Sequence, residues 1–261
     1  MESMRIKNRK QNSNIDLDTW QEWLKQPSGH YIQAWEQTRL DKLTVDIFGF
    51  NALQMGMPQM DCLAASRMPN RWLANTTAFE QSPRKIALLH DFMELPFESQ
   101  SLDLVVLPHV LEFVSEPHQI LREVERVLIP EGRLIICGFN ATSLWGARQA
   151  AGHLRANYFL PHNGEFISLA RLRDWLKLLN MEVDKGDFGC YAPPINNEKW
   201  LQRFHFIESA GERWWPYFGA AYIVQAIKRV KGMHLIGPAW KNKKVLVPHA
   251  VPVTNRHHKD Q

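Results

Sequence analysis

Residues 91–138 decide the fold, and they read DFMELPFESQSLDLVVLPHVLEFVSEPHQILREVERVLIPEGRLIICG. Two apolar runs in this stretch, 102–107 and 134–137, are rich in branched residues, as is typical of strands buried on both faces. Between them, residues 117–128 carry apolar side chains at helical spacing and charged side chains on the opposite side, which predicts a helix. The stretch is therefore a predicted strand–helix–strand unit with parallel strands and a right-handed crossover.

The same alternation continues on both sides of this unit. Further strands are predicted at 50–55, 71–74, 86–89, near 182 and at 220–227, and further helices at 30–47, 59–66, 143–154, 168–179 and 198–215. Pro27 to Gly29 is expected to stop a first short helix, and Pro130 with Gly132 to turn the chain into a strand. Strands that alternate with helices predict an open, doubly wound α/β sheet.

Composition and charge limit the kind of protein. The chain of 261 residues has no apolar run near the ~18 residues that a membrane helix needs. Its polar start lacks the apolar core of a secretory signal, and its 3 cysteines are widely spaced, so buried thiols and a cytoplasmic location are expected. We predict an N-terminal leader with helices at 1–48, an α/β domain at 49–230 and a basic flexible tail at 231–261.

Several segments of the opening stretch match a known pattern in combination. They are Leu95-Pro-Phe97, Ser101 to Val106, Leu111-Glu112, Leu121 to Val124, Arg126 to Leu128 and Pro130 to Leu134. Together they resemble the class I S-adenosylmethionine-dependent methyltransferases of the methyltransferase type 11 family. The resemblance extends over about residues 50–230. It implies a Rossmann-like, doubly wound sheet of seven strands with the last strand antiparallel, and S-adenosyl-L-methionine as the cofactor.

The segment after the first predicted strand differs from the pattern of that family. The family has an acidic residue and three glycines there, whereas this chain reads QMGMPQM over residues 54–60 and keeps only Gly56. The resemblance assigns Gln54 and Gly56 to the cofactor loop and Asn75, after the second strand, to the ribose hydroxyls. Pro58 fixes its φ angle and removes an N–H group from this loop. Gly56 is thus either the pivot of a cofactor loop or a turn glycine in a fold that has lost the cofactor.

Three residues after the third predicted strand form the other half of the expected cofactor site. Asp91 directly follows the strand, so its carboxylate is expected at the ligand crevice of a parallel sheet. In the resembled family this acid binds the adenine amino group and the next residue packs on the ring, which assigns Asp91, Phe92 and Met93 to adenine. The alternative is that Asp91 only caps the following turn.

The end of the fourth predicted strand is the place where the family faces both sulfonium and substrate. The resemblance assigns Leu107 to the cofactor, and His109 could act as a general base because the pKa of histidine lies near neutral pH. The alternative is a packed or capping histidine. Glu112 is a weaker candidate and is expected on a helix surface. Methyl transfer needs little acid–base help, since alignment of nucleophile and methyl group does most of the work.

Three function hypotheses follow from the sequence. The first is a cytoplasmic methyltransferase with an unidentified acceptor and no metal. The second is a catalytically inactive protein of the same fold that serves interaction or regulation, because the glycine motif is degenerate. The third is that the basic tail contacts nucleic acid or acidic lipid headgroups, although a solvated tail is the default. The sequence identifies neither the acceptor nor the oligomeric state.

Overall fold

The structure is a computed structural model, and it describes residues 23–79, 82, 84–155, 159–160, 166–204 and 206–229. The described residues form one sheet of 7 strands in the order β3-β2-β1-β4-β5-β7-β6. The strands are β1 (Asn51–Met55), β2 (Asn70–Asn75), β3 (Leu88–Leu89), β4 (Leu102–Pro108), β5 (Leu128–Phe139), β6 (Met181–Gly189) and β7 (Ala221–Lys228). The predicted tail at 231–261 and most of the predicted leader lie outside the described residues.

Six α-helices and one 3-10 helix connect these strands in the described ranges. They are α1 (Pro27–Val45), α2 (Pro117–Val127), α3 (Leu144–Arg155), α4 (Leu169–Leu178), α5 (Glu198–Arg203), α6 (Phe206–Trp214) and the 3-10 helix Pro216–Phe218. Within these ranges, every helix is too short or too polar to cross a lipid bilayer.

Strand direction confirms the predicted fold class. β1 to β5 pair in parallel, whereas β7 runs antiparallel to both β5 and β6. Phe139 at the end of β5 pairs with Ala221 at the start of β7, so the segment before β7 arrives where the parallel strands end. We call this edge of the sheet, where β1, β2, β4 and β5 end, the carboxyl edge. Ligands of open α/β sheets bind at this edge.

The sheet is covered on both faces, as the apolar strands require. Residues Leu53, Val105, Leu107 and Ile136 pack with apolar side chains of α2 and α4. Alternate residues of the same strands, among them Leu104 and Val106, pack on the other face against Leu40 and Leu43 of α1. This alternation is the period of two that a buried strand imposes. A third cluster, around Trp23, Phe139 and Trp145, lies where β5 ends.

Several predicted element boundaries were wrong. Helical residues Trp23 and Leu24 end before Pro27, as predicted, but the next helix begins at Pro27 and not at His30, because proline fixes a helical φ angle and needs no N–H in the first turn. Strand β5 begins directly after α2, so Pro130 and Gly132 lie inside an irregular start of this strand. The predicted helix at 198–215 is divided into α5 and α6. Asn180, in contrast, ends its helix with a φ angle of +55° as predicted.

The predicted helix at 59–66 is also wrong, because a buried glutamine side chain holds this segment in successive turns. The Gln54 amide group donates to the carbonyl oxygens of Gly56, Met57 and Met60 at 3.1, 3.1 and 2.8 Å. Its Oε1 accepts the N–H group of Cys62 at 3.0 Å. Backbone groups that bond to this side chain are not available for helical hydrogen bonds, so the loop stays irregular.

Candidate functional site

Gly56 stands at the centre of the carboxyl edge, directly after β1. Its φ angle is +77°, a region that residues with a side chain rarely adopt, and its N–H group donates to Ala74 O at 2.8 Å. A Cβ atom at this position would lie 2.9 Å from Val110 Cγ2 and 3.8 Å from Phe92 Cε2. The conformation and the close contact with Val110 therefore both require glycine here.

The loop after Gly56 is folded inward. Met57, Pro58 and Met60 are buried, and Met57 adopts a φ angle of +48°. Gln54, which the resemblance assigned to the cofactor, is fully buried and its amide group is bonded to the loop itself. The side chain of Gln54 therefore shapes the loop and does not face the carboxyl edge as a free ligand.

The polar residues expected at the cofactor lie on the two neighbouring strands β2 and β3. Asn75 ends β2, is buried, and donates from Nδ2 to Thr77 O at 2.7 Å. Asp91 follows β3, is exposed, and its Oδ1 accepts the N–H group of Met93 at 3.0 Å. This is the turn cap that the sequence predicts as the alternative to a ligand role, and an aspartate in such a cap can still offer its second oxygen to a ligand.

The two apolar residues assigned to the cofactor are fully packed. Phe92 is 2% exposed and contacts the site of the missing Cβ of Gly56. Leu107 is fully buried in the core beneath α2. Met93 is half-buried beside the same core. The structure thus brings Gly56, Phe92 and Val110 together, while it separates Leu107 from the surface.

His109 lies between two carboxylates at the end of β4. Its Nε2 is 2.7 Å from Glu36 Oε1 of α1, and its Nδ1 is 2.9 Å from Glu112 Oε2. Glu112 also accepts the N–H group of Phe139, and all three ionisable side chains are at most 2% exposed. We call these three residues, Glu36, His109 and Glu112, the carboxylate clamp. It ties α1 to the turn that carries Val110.

Burial and the neighbouring charges shift the pKa of His109 in opposite directions. Burial alone would lower the pKa of His109, but the charge of Glu36 and the hydrogen bonds to both acids outweigh it and raise the pKa to about 10. Burial raises the pKa of Glu112, and the bonds from His109 and Phe139 offset this in part. A protonated imidazole with both nitrogens bonded to carboxylates cannot accept a proton, which a general base must do.

Sequence reasoning missed Glu36 and misjudged Glu112, which was expected on a helix surface and is buried. Glu36 is 73 residues away from His109 in the sequence. One signal was present: Glu36 lies four residues from both Ile32 and Leu40, on the buried stripe of α1. A charged residue on an apolar stripe requires a buried partner. Nothing local in the sequence pairs Val110 with Gly56.

A cavity lies away from the residues predicted for the site. The cavity, of about 500 Å³, is formed between α1 and the loop after β1, and His30, Gln37 and Gln59 contribute to its wall. None of the residues predicted for the cofactor lines it. In the part of the chain that the structure describes, no group of three His, Cys, Asp or Glu side chains could hold a metal ion.

The strand order, the antiparallel β7 and the glycine at the end of β1 define a class I methyltransferase fold. Comparison with known proteins agrees, since the sequence profile of the methyltransferase domain matches residues 63–136. Residues 63–136 of this chain are therefore similar to the methyltransferase type 11 family.

Two relatives and one solved structure illustrate the similarity. The uncharacterized protein YafS of Escherichia coli K12 is 31% identical over 163 residues, which is 62% of this chain and 65% of that protein. The chain thus matches slightly less than two thirds of that relative. The ubiquinone biosynthesis O-methyltransferase of Xanthomonas oryzae pv. oryzae strain PXO99A is 26% identical over 66% of this chain and 80% of that one. A SAM-dependent methyltransferase structure from Thermotoga maritima superposes with a TM-score of 0.57 at 14% identity, over 82% of this chain and 96% of that chain.

The family implies S-adenosyl-L-methionine as the cofactor, and the residues at the carboxyl edge fit it in part. Asp91 and Met93 offer an accessible carboxylate beside an apolar side chain, which fits the adenine end. The methionine end would lie against Gly56, where Val110 and Phe92 pack closely, so these side chains would have to shift to admit it.

Proposed function

We propose that this protein transfers a methyl group from S-adenosyl-L-methionine to an acceptor that is not identified. The observation that carries the proposal is Gly56, in a left-handed conformation at the end of β1 and beside the residues that follow β3. This is the position at which the family cradles its cofactor. Bound S-adenosyl-L-methionine supplies an activated methyl group, so the protein has mainly to bind and align the reactants.

The chain's own residues take separate roles in this proposal. Asp91 would accept a hydrogen bond from the adenine amino group through the oxygen that is not used by Met93. Asn75, which ends β2, would hold the ribose hydroxyls. His109 acts as a structural residue, because its pKa of about 10 keeps it protonated between Glu36 and Glu112. Val110 has to move away from Gly56 before the cofactor can enter.

Isothermal titration with S-adenosylhomocysteine tests the proposal. We expect saturable binding by the unmodified chain and about 10- to 100-fold weaker binding by Asp91→Asn, because a hydrogen bond to a charged acceptor contributes roughly 1.5–3 kcal/mol. Asp174→Asn is the matched control, since Asp174 is an exposed aspartate on α4. Binding that is unaffected by Asp91→Asn would remove Asp91 from the site.

A second candidate function is specifically favoured by the packing on Gly56. If Val110 and Phe92 permanently close this place, the protein uses the fold for interaction or regulation without a cofactor. The substitution Val110→Ala separates the two candidates, because it reduces the apolar area that must leave the core by about two methyl groups. At ~0.8 kcal/mol per carbon, this should tighten S-adenosylhomocysteine binding about tenfold or more.

The matched control for Val110→Ala is Val106→Ala. Val106 is equally buried in β4 but packs on the other face of the sheet, against α1. Both substitutions lower stability, whereas only Val110→Ala should change the affinity for S-adenosylhomocysteine. Absence of binding by both the unmodified chain and Val110→Ala would favour the cofactor-free function. The predicted cytoplasmic location and contact of the tail with nucleic acid stay predictions.

A further inference from the structure

The segment 198–218, which we call the aromatic segment, turns large aromatic side chains outward. Trp214 and Tyr217 are each 70% exposed and Phe206 is 67% exposed. The exposed aromatic residues of this segment are Trp200, Phe206, Trp214, Trp215, Tyr217 and Phe218. A protein rarely leaves so many large apolar side chains exposed within some twenty residues unless the surface has a partner.

The buried residue of α6 is a glycine, whereas an ordinary surface helix buries large apolar side chains. Gly211 packs against the Tyr191 ring so closely that a Cβ atom would lie 2.3 Å from Cγ of that ring. Glu208 accepts the N–H group of Tyr191 at 2.9 Å, and Glu212 forms an ion pair with Arg39 of α1. These contacts fix the rotation of α6, so its aromatic side chains cannot turn inward.

The aromatic segment is fastened to the carboxyl edge, where the candidate site lies. Tyr191 Oη donates to Pro216 O at 2.8 Å, and Asn140 Nδ2 donates to Tyr217 O at 2.8 Å. Asn140 directly follows β5, and the segment leads into β7 beside it. The exposed aromatic side chains and the end of β5 therefore belong to the same side of the molecule.

The acidic and the basic side chains of the aromatic segment differ in their contacts. Glu208 and Glu212 are engaged by Tyr191 and Arg39, as described above. In the described ranges, no acidic side chain lies within ion-pair distance of the exposed Lys199, Arg203 or Arg213. Beyond residue 230 the sequence adds 6 Lys and Arg residues against 1 Asp. Glu198 at the start of α5 and Glu212 on α6 are the exposed acids of the segment.

We propose that the aromatic segment seats the protein on an anionic lipid bilayer. Trp and Tyr side chains prefer the interfacial zone of a membrane, and basic residues beside them are attracted to anionic headgroups. A lipid surface fits this chemistry because it accepts rings of any orientation at once. The contact brings the carboxyl edge close to the membrane. The acceptor of the proposed methyl transfer is then a lipophilic molecule dissolved in the bilayer, and this last step rests on the proposed function.

Sedimentation with vesicles tests the membrane contact. The full chain is mixed with extruded vesicles of phosphatidylcholine alone or with ~30 mol% phosphatidylglycerol, without any cofactor. We expect binding to the anionic vesicles, with a partition coefficient at least about tenfold lower for Trp214→Ala/Trp215→Ala, since interfacial tryptophans anchor such contacts. Weaker binding is expected at high salt and to uncharged vesicles.

The matched control is Phe48→Ala/Phe50→Ala. These two residues are 77% and 72% exposed, but they flank the start of β1 at the opposite edge of the sheet. Because all four side chains are exposed, neither double variant should lose its fold, which circular dichroism verifies. Equal vesicle binding by the two double variants would overturn the proposal, and so would absence of binding by the unmodified chain.

Two further readouts separate the alternatives. Light scattering after gel filtration reports whether the aromatic segment joins two copies of the chain. A dimer that Trp214→Ala/Trp215→Ala dissociates, without vesicle binding, would overturn the lipid proposal in favour of self-association. Titration with S-adenosylhomocysteine in the absence of vesicles is independent of membrane contact. A failure of the proposed methyltransferase function and a failure of the membrane contact are therefore distinguished.

Discussion

The carboxylate clamp makes the stability of the protein depend on pH in a defined direction. The pKa of His109 is about 10 in the folded chain and ~6.5 in an unfolded chain. Between these values the folded state holds a proton that the unfolded state lacks. The raised pKa of His109 therefore stabilises the folded chain fully below pH ~6.5, and this contribution is lost as pH rises toward 10. The free energy of unfolding should therefore fall by about 1.4 kcal/mol per pH unit in this window.

The substitution Glu36→Gln tests this reasoning at its source. Glu36 Oε1 lies 2.7 Å from His109 Nε2, and its charge is the largest factor that raises the pKa of His109. Without this charge the histidine should lose its proton near neutral pH, so the slope between pH 7.5 and 9.5 should become flat. At pH 6.5 the variant should be about 2 kcal/mol less stable, since it loses a buried hydrogen bond between charged groups.

Urea unfolding followed by tryptophan fluorescence measures both quantities. Over pH 7.5 to 9.5 we expect the unmodified chain to lose about 2.7 kcal/mol and Glu36→Gln to lose much less. His118→Gln is the matched control, because His118 is exposed and packs at a tilted angle on Trp175, and no acid of the described residues forms an ion pair with it. The pKa of Glu112 is also raised, so its deprotonation also lowers the free energy of unfolding as pH rises, but at lower pH. The measurement therefore starts at pH 7.5.

Two results would refute the carboxylate clamp as a proton-linked contact. One is the same slope with pH for the unmodified chain and for Glu36→Gln. The other is a ring titration of His109, followed by nuclear magnetic resonance, with a midpoint near ~6.5. Either result would mean that the contact with Glu36 does not raise the pKa of His109 in solution.

Two further substitutions test the packing around the sheet. Gln54→Leu removes the amide group that bonds to three carbonyl oxygens and one N–H group, so we expect urea unfolding to show a loss of about 4 kcal/mol in stability. The control Gln225→Leu should lose about 1 kcal/mol, because the amide of Gln225 makes one bond to Asp184. Equal losses in the two variants would contradict this prediction. Gly189→Ala places a Cβ atom 2.1 Å from the Trp35 ring and should cost about 2 kcal/mol, whereas Gly186→Ala meets nothing closer than 3.9 Å and should leave the midpoint nearly unchanged.

The elements with strong local signals were predicted from the sequence. The strand–helix–strand unit from β4 to β5 was found because branched apolar runs and helical spacing each describe a short piece of chain. Ser168 caps α4 by accepting the N–H group of Arg171, and Asn180 ends the following turn. In such cases the residues that decide the structure are also neighbours in sequence. The antiparallel β7 was predicted only through the family resemblance.

The loop after β1 could not be predicted, because its shape depends on a side chain that points back into it. Residues 59–66 have a composition that suits a helix, but the Gln54 side chain bonds to Met60 O and to the N–H group of Cys62, which a helix would need. The same applies to Gly56, whose contact with Val110 joins two loops that are 54 positions apart. Spacing along the chain contains no information on such contacts.

The sequence by itself determined the α/β class, the alternation of strands and helices, and the set of residues that end β1, β2, β3 and β4. Periodicity and turn chemistry suffice for these features, because they act within a few residues. The tertiary structure alone decided that His109 is held between Glu36 and Glu112 and that Val110 closes on Gly56. Burial removes water from these groups, so their chemistry is set by whichever side chains the fold brings within hydrogen-bond or van der Waals distance.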